Sequence, residues 1–268
     1  MRPIHSFIAA AGFTLALAPT AHANGEQACA PAMLAIVDAW LSAHPFLADA
    51  TSPDLRADSA CKAAPQDPAV TIVAAAYARR PDPRIDDGKN FVMALVDTKA
   101  ATVRAAFKGT IAEDAVLHVS QGGLRLDTAR YELAPGVRAF GVDVSSDTIA
   151  PRCVDAWPGP TRTLFVQDGS TLRPVLAGFL LSQWQVVSGE ACGEKSVGQS
   201  THSMLAVSRH ATHGYADLVS ITTIDDSHAK PGRLVMRYDG RAYRMPDPMP
   251  FWQATIAPEA AASAPAKQ

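Results

Sequence analysis

Residues 233–245 read Arg-Leu-Val-Met-Arg-Tyr-Asp-Gly-Arg-Ala-Tyr-Arg-Met. Apolar and polar side chains alternate from Arg233 to Tyr238, the period-two pattern of a half-buried strand. Asp239-Gly240 then precedes a second short β-type run at 242–245, so the segment predicts a hairpin. A two-residue turn needs positive φ, and Asp-Gly supplies it at low steric cost. The same pattern stands at Asp168-Gly169, between runs at 162–166 and 172–179. Asp97 closes a third run, 91–97, before another at 102–107.

Asp97, Asp168 and Asp239 are spaced 71 residues apart, and each is followed on its second strand by an arginine: Arg104, Arg173 and Arg244. Upstream of each pair lies a further apolar run, at 72–77, 138–144 and 216–222. One unit is therefore a leading strand, a variable connection and a hairpin. Three such units would stack their apolar faces, because none buries its face alone. The expected fold is mainly β, built of antiparallel hairpin repeats with a period of about 71 residues, and it is propeller-like in organisation although three units fall below the usual four blades. Other expected strands lie at 116–119, 126–133, 183–187 and 203–208. Parallel topology would need helical crossovers, and none is visible after Cys61.

One helix is predicted, at 31–44. Pro31 sits in its first turn, Met33, Ile36, Val37, Trp40 and Leu41 share a face, and Pro45 ends it. The N-terminus is a processing segment: Arg2, an apolar run at 7–17 and the small-x-small sequence Ala21-His22-Ala23 predict a signal peptide over 1–23 with cleavage after Ala23. The apolar run is shorter than the roughly 20 residues that span a bilayer, so the mature chain carries no expected transmembrane segment. The expected division is a signal peptide (1–23), a helical segment (24–64), a β-repeat domain (65–253) and a disordered tail rich in Ala and Pro (254–268).

Export explains the cysteines. Cys29, Cys61, Cys153 and Cys192 are even in number, and three pairings are open. Cys29 with Cys61 and Cys153 with Cys192 are favoured, since each closes a local loop; either bridge would contribute roughly 3.5–4 kcal/mol by the chain-entropy argument. Scattered cysteines without Cys-x-x-Cys do not resemble a structural zinc site.

Composition excludes further classes. The 268 residues carry 24 Lys and Arg against 26 Asp and Glu, a net charge of −2, which lacks the basic footprint of a nucleic-acid binder. No Gly-x-Ser-x-Gly, phosphate loop, Gly-x-Gly-x-x-Gly or His-Glu-x-x-His occurs, and no cofactor is implied. One cluster could carry chemistry: His202, His210, His213 and Asp217, with Asp225, Asp226 and His228 beyond. His210, His213 and Asp217 could hold a metal, and Ser203 with a histidine and Asp217 could form a triad, although no oxyanion donors accompany it. Arg104, Arg173 and Arg244 could converge on an anion if the repeats are symmetric. The polar stretch 86–90 reads as an exposed turn.

Residues 126–142 (LDTARYELAPGVRAFGV) and 214–245 resemble a group of exported proteobacterial proteins without assigned function, over about half the chain. The resemblance implies an exported β-rich protein and transfers no catalytic residue. The closing hairpin is also similar to FG-GAP propeller repeats. The calcium loops of that family need several alternating Asp or Asn, which the turns at 97–99, 167–169 and 238–240 lack, so calcium is not implied. Two functional expectations stand: a periplasmic or secreted, non-catalytic module binding a partner or envelope component, and a secreted hydrolase or metalloenzyme built on the histidine cluster.

Overall fold

The strand at 67–78 is apolar on both faces, and this decides how the molecule is layered. In the computed structural model, which describes residues 27–47, 52–84, 87–245 and 256–259, Val70, Ile72, Ala74 and Ala76 point into one core while Val73, Ala75 and Tyr77 point into another. A strand covered on both sides reads as a nearly continuous apolar run.

The first core is the interior of a nearly closed, barrel-like sheet. The helix α1 (Pro31–Ala43) precedes β1 (Arg56–Ala64), β2 (Asp67–Ala78), β3 (Lys89–Asp97) and β4 (Thr102–Ile111), which form an antiparallel meander. A second meander contains β5 (Leu124–Ala134) and β6 (Val137–Val144); after β7 (Ala156–Pro158), a strand of another sheet, it continues through β8 (Thr161–Asp168) and β9 (Thr171–Leu180). One parallel bridge, Ala106 to Thr171, joins β4 to β9 and gives the order β1-β2-β3-β4-β9-β8-β6-β5. Below it β14 (Ile256–Pro258) pairs with Gly109–Ile111 of β4. Phe91, Met93, Phe107, Phe140 and Phe165 fill the interior.

The two edge strands, β1 and β5, face each other without a ladder, and side chains close the seam. Cys61 N donates to Gln27 O, and the Gln27 carboxamide takes both Leu126 N (2.6 Å) and Leu126 O (2.9 Å), as a strand residue would. Asp58 accepts from Gly122 N (3.1 Å) and Leu124 N (2.6 Å). The Cys29–Cys61 bridge fixes this N-terminal segment to β1.

The helix lies over the outer face of the β2–β4 meander, where Val37 and Leu41 meet Val73, Ala75, Val92, Ala94 and Ala106. Alanines here let the helix approach the sheet. Asp38 receives the Tyr77 hydroxyl (2.8 Å) and pairs with Arg56, and burial pushes the Tyr77 hydroxyl pKa up.

A five-stranded sheet, β13-β12-β11-β10-β7, is made of β7, β10 (Ser182–Ser188), β11 (Val197–Thr212), β12 (Tyr215–Ile224) and β13 (Gly232–Met236). It packs on the opposite outer face of the barrel sheet through Leu218, Met236, Tyr238 and Tyr243 against Tyr131, Leu133, Leu164, Val166 and Leu176. Cys153–Cys192 ties the loops beside β7 and β10. Between the sheets Arg162 binds Asp143 (2.6 and 2.7 Å), Asp127 and the Tyr131 hydroxyl (2.7 Å).

Several expectations are corrected. Residues 56–64 are a barrel strand, so the β domain begins before residue 65: the poor strand propensity of Arg-Ala-Asp-Ser-Ala-Cys-Lys-Ala-Ala is overridden by the β2 ladder. Residues 116–119 form no strand; Leu117 and Val119 are buried from a loop held by Asp114, Ser146 and Glu113. Ile256–Pro258 of the expected tail is a strand, and the run 242–245 reduces to one bridge, Tyr238 to Tyr243. Lys89 and Asn90, read as an exposed turn, are buried at the start of β3. The signal peptide lies outside the described residues.

The loop residues of the two Asp-Gly hairpins sit one position later than the sequence suggests. Asp168 pairs with Thr171 and Asp239 with Ala242, leaving Gly169-Ser170 and Gly240-Arg241 as loops. Glycine therefore holds the first loop position, at φ +61° and +98°, which suits a II′ turn, where only that residue needs positive φ. The strands of the first two expected units lie in one barrel-like sheet around a shared core.

Candidate ligand site at the barrel mouth

Hairpin direction gathers four turns at one end of the barrel: 65–66, 98–101, 135–136 and 169–170. The opposite end is plugged by Leu117, Val119, Ile111 and Ile256, with a fully buried ion pair between Lys89 and Glu113. The turn end is open. A cavity of about 270 Å³ lies there, its floor formed by Val70, Ile72, Leu95 and Phe140 and its rim by Gln66, Asp67, Arg104, Arg138 and Gln167. Small barrels are just wide enough to fill with side chains or to hold one small ligand.

The two rim arginines differ in what they hold. Arg104 is neutralised: its Nε reaches Asp97 at 2.9 Å and its NH1 reaches Asp67 at 2.8 Å. Asp97 also accepts from the Lys99 and Ala100 amides of its own turn (2.9 and 2.8 Å), and these bonds, Ala100 foremost and then Arg104, hold its carboxyl below the usual range. Arg138 lies on the inward side of β6 with Phe140, Val142 and Val144. Its NH2 donates to Thr128 O (2.8 Å), a carbonyl left by the irregular pairing between Asp127 and Tyr131. Among the described residues no carboxylate pairs with it. Arg138 is therefore a cation at an apolar-floored cavity with charge to offer.

The residues singled out in the sequence have other engagements. Arg244 binds Asp239 (2.6 Å), whose carboxyl is held down to about 2 by the Ala242 and Arg241 amides and then by Arg244. Arg173 donates to Arg241 O of the same turn. Arg104 is thus bound to Asp97 and Asp67 at the mouth, while Arg173 and Arg244 both engage the Asp239 turn. His202 pairs with Asp225 at 3.1 Å on an exposed face. His210 is exposed, while His213 occupies the first loop position of the β11–β12 hairpin at φ +49°, its Nδ1 2.9 Å from Tyr238 O. Asp217 is buried and accepts from Thr212 Oγ1 at 2.7 Å. Ser203 Oγ meets Thr222 Oγ1 at 2.8 Å, and neither a histidine nor Asp217 is its partner. Among the described residues no three His, Cys, Asp or Glu side chains converge as metal ligands.

The mouth was missed by sequence reasoning because its residues come from five strands and no local spacing marks them. The nearest signal was the inward period of 138, 140, 142 and 144, which sets an arginine in line with three core residues. Compared with known protein families, characterised proteins and solved structures, the chain matches none. Among the described residues no helix is long and apolar enough to cross a membrane.

Proposed function

We propose that this protein is an exported, non-catalytic binding module of the cell envelope that takes a small ligand at the barrel mouth. One observation carries the reading: an inward-pointing arginine, bonded to no carboxylate among the described residues, stands beside a cavity whose floor is apolar and whose rim is polar. That combination binds and orients; it supplies no nucleophile, base and oxyanion donor together. Two disulfides suit an oxidising compartment, in keeping with the signal sequence.

The repeat supports the same reading. In each unit the leading strand is hydrogen-bonded to the first strand of the following hairpin: β2 to β3, β6 to β8, and β12 to β13. Asp97 and Asp239 cap their turns alike, through two backbone amides and one arginine. The Asp168 turn keeps the position and uses a different bond, Thr171 Oγ1 to Asp168 O. Two antiparallel meanders enclosing a core furnish a scaffold whose turns can bind.

The test is native mass spectrometry of the periplasmic protein beside a Gln167→Trp variant, which fills the mouth from an exposed rim position. A small-molecule adduct on the parent that is absent from the variant is expected. An adduct retained by the folded variant would move the site elsewhere.

A further inference from the structure

Size, depth and charge at the mouth restrict what can enter it. The cavity of about 270 Å³ has room for roughly nine water-sized groups. Below it the barrel is solid: Phe91, Met93 and Phe165 are fully buried and Phe107 nearly so, and Phe107 meets Phe165 ring to edge at 5.1 Å. A long acyl chain therefore has nowhere to go, whereas a short one can lie on Ile72, Leu95 and Phe140.

Charge selects the head group. Arg104, bound to Asp67 and Asp97, contributes with them one net negative charge at the rim, and Arg138 contributes one positive charge. A monoanion meets the one cation that has no carboxylate bonded to it, whereas the second charge of a dianion on Arg138 would face Asp67 and Asp97 uncompensated. A planar carboxylate also matches the guanidinium fork.

We propose that the mouth binds a medium-chain monocarboxylate, with its carboxylate on Arg138 and its alkyl tail against Ile72, Leu95 and Phe140. This rests on the binding-module reading given above and names the ligand class of that same site. The NH2 group remains on Thr128 O, so the guanidinium is already held in place when the ligand arrives. Each methylene entering the floor strengthens binding about fourfold, until the cavity is full.

The experiment is calorimetric titration of the mature, disulfide-bonded chain at pH 8 with butanoate, hexanoate, octanoate, dodecanoate, octan-1-ol and octyl phosphate. Expected is one site whose affinity climbs from butanoate to octanoate and gains nothing with dodecanoate. Octanol and octyl phosphate should bind at least tenfold more weakly than octanoate. Arg138→Gln should lose tenfold or more for octanoate and leave octanol unchanged, Arg138→Lys should retain most of the octanoate affinity, and Arg244→Gln, which lies outside the cavity lining, should leave it unchanged. Circular dichroism establishes that each variant is folded. Octanol matching octanoate, octyl phosphate exceeding it, or an Arg138→Gln variant indistinguishable from the parent would overturn the carboxylate assignment. If octanol binding is then abolished by Gln167→Trp, the mouth remains a ligand site of another class. Absence of binding by every probe overturns this proposal, and if the native protein also carries no adduct, the binding-module reading falls with it.

Discussion

Replacing Glu113 by glutamine tests whether the closed end of the barrel is held by a buried charge pair. The Lys89 and Glu113 side chains are 3% and 0% exposed, and the Glu113 Oε1 also accepts from Val119 N at 2.7 Å. Glutamine keeps the shape and the acceptor for Val119, so the change isolates the charge. Leaving one partner of a buried pair uncompensated costs about 3–5 kcal/mol, a large part of the roughly 5–15 kcal/mol that holds a domain together. Lys89→Met should cost a similar amount, because it strands the carboxylate. Removing both charges should be far less harmful: the double variant is expected within about 1–2 kcal/mol of the parent. Urea unfolding of the four proteins, followed by circular dichroism with the slope m constant, gives the coupling energy directly. These costs imply a coupling of at least about 4 kcal/mol if the pair is desolvated. If the two single changes each cost under about 1 kcal/mol and simply add, the pair is solvated and the barrel is not sealed at this end.

Three further outcomes follow from the same geometry. Asp239 has its folded-state carboxyl pKa depressed to about 2, so whatever stability it contributes is present above about pH 4 and drains away as pH falls through about 2; carbon-detected titration of the Asp239 carboxyl should find that midpoint, and one near 4 would refute the turn cap. Gly109→Ala sets a methyl group against Ala257 O and the Phe107 ring, so it should cost about 1–3 kcal/mol and free β14, read as lost amide protection at Ala257; retained protection would show that β14 is not seated on β4. Removing Cys29–Cys61 or Cys153–Cys192, which close separations of 32 and 39 residues, should cost nearly the same, about 3.7 and 3.9 kcal/mol by chain entropy. Only loss of the first should speed hydrogen exchange at the Leu126 amide, which donates to Gln27 across the seam.

Local grammar made the hairpins legible, and tertiary context hid most of the rest. Asp168-Gly169 and Asp239-Gly240 mark real turns because a glycine with positive φ is a demand of the backbone itself, visible without neighbours. Their one-residue displacement was not visible, since register is decided by the ladder across the strands. β1 escaped notice for a related reason: alanine, serine and charged residues become a strand only when β2 offers partners on one side and Gln27 and Cys29 on the other. Loop 116–119 failed in the opposite direction, since its apolar residues plug the barrel without needing a ladder.

The arginines make the same point about function. Arg104, Arg173 and Arg244 recur at like positions, yet Arg104 and Arg244 are each bound to the aspartate that caps their turn, and Arg173 donates to a turn carbonyl. Arg138 recurs nowhere. Its distinction is that a strand period carries it inward, beside an unfilled volume, while the glutamate opposite it in the ladder, Glu132, lies 3.9 Å from Arg130 and Asp67 is bound to Arg104. A repeated charged residue is first accounted for by the scaffold; the inward charge without a partner is where a binding site is to be sought.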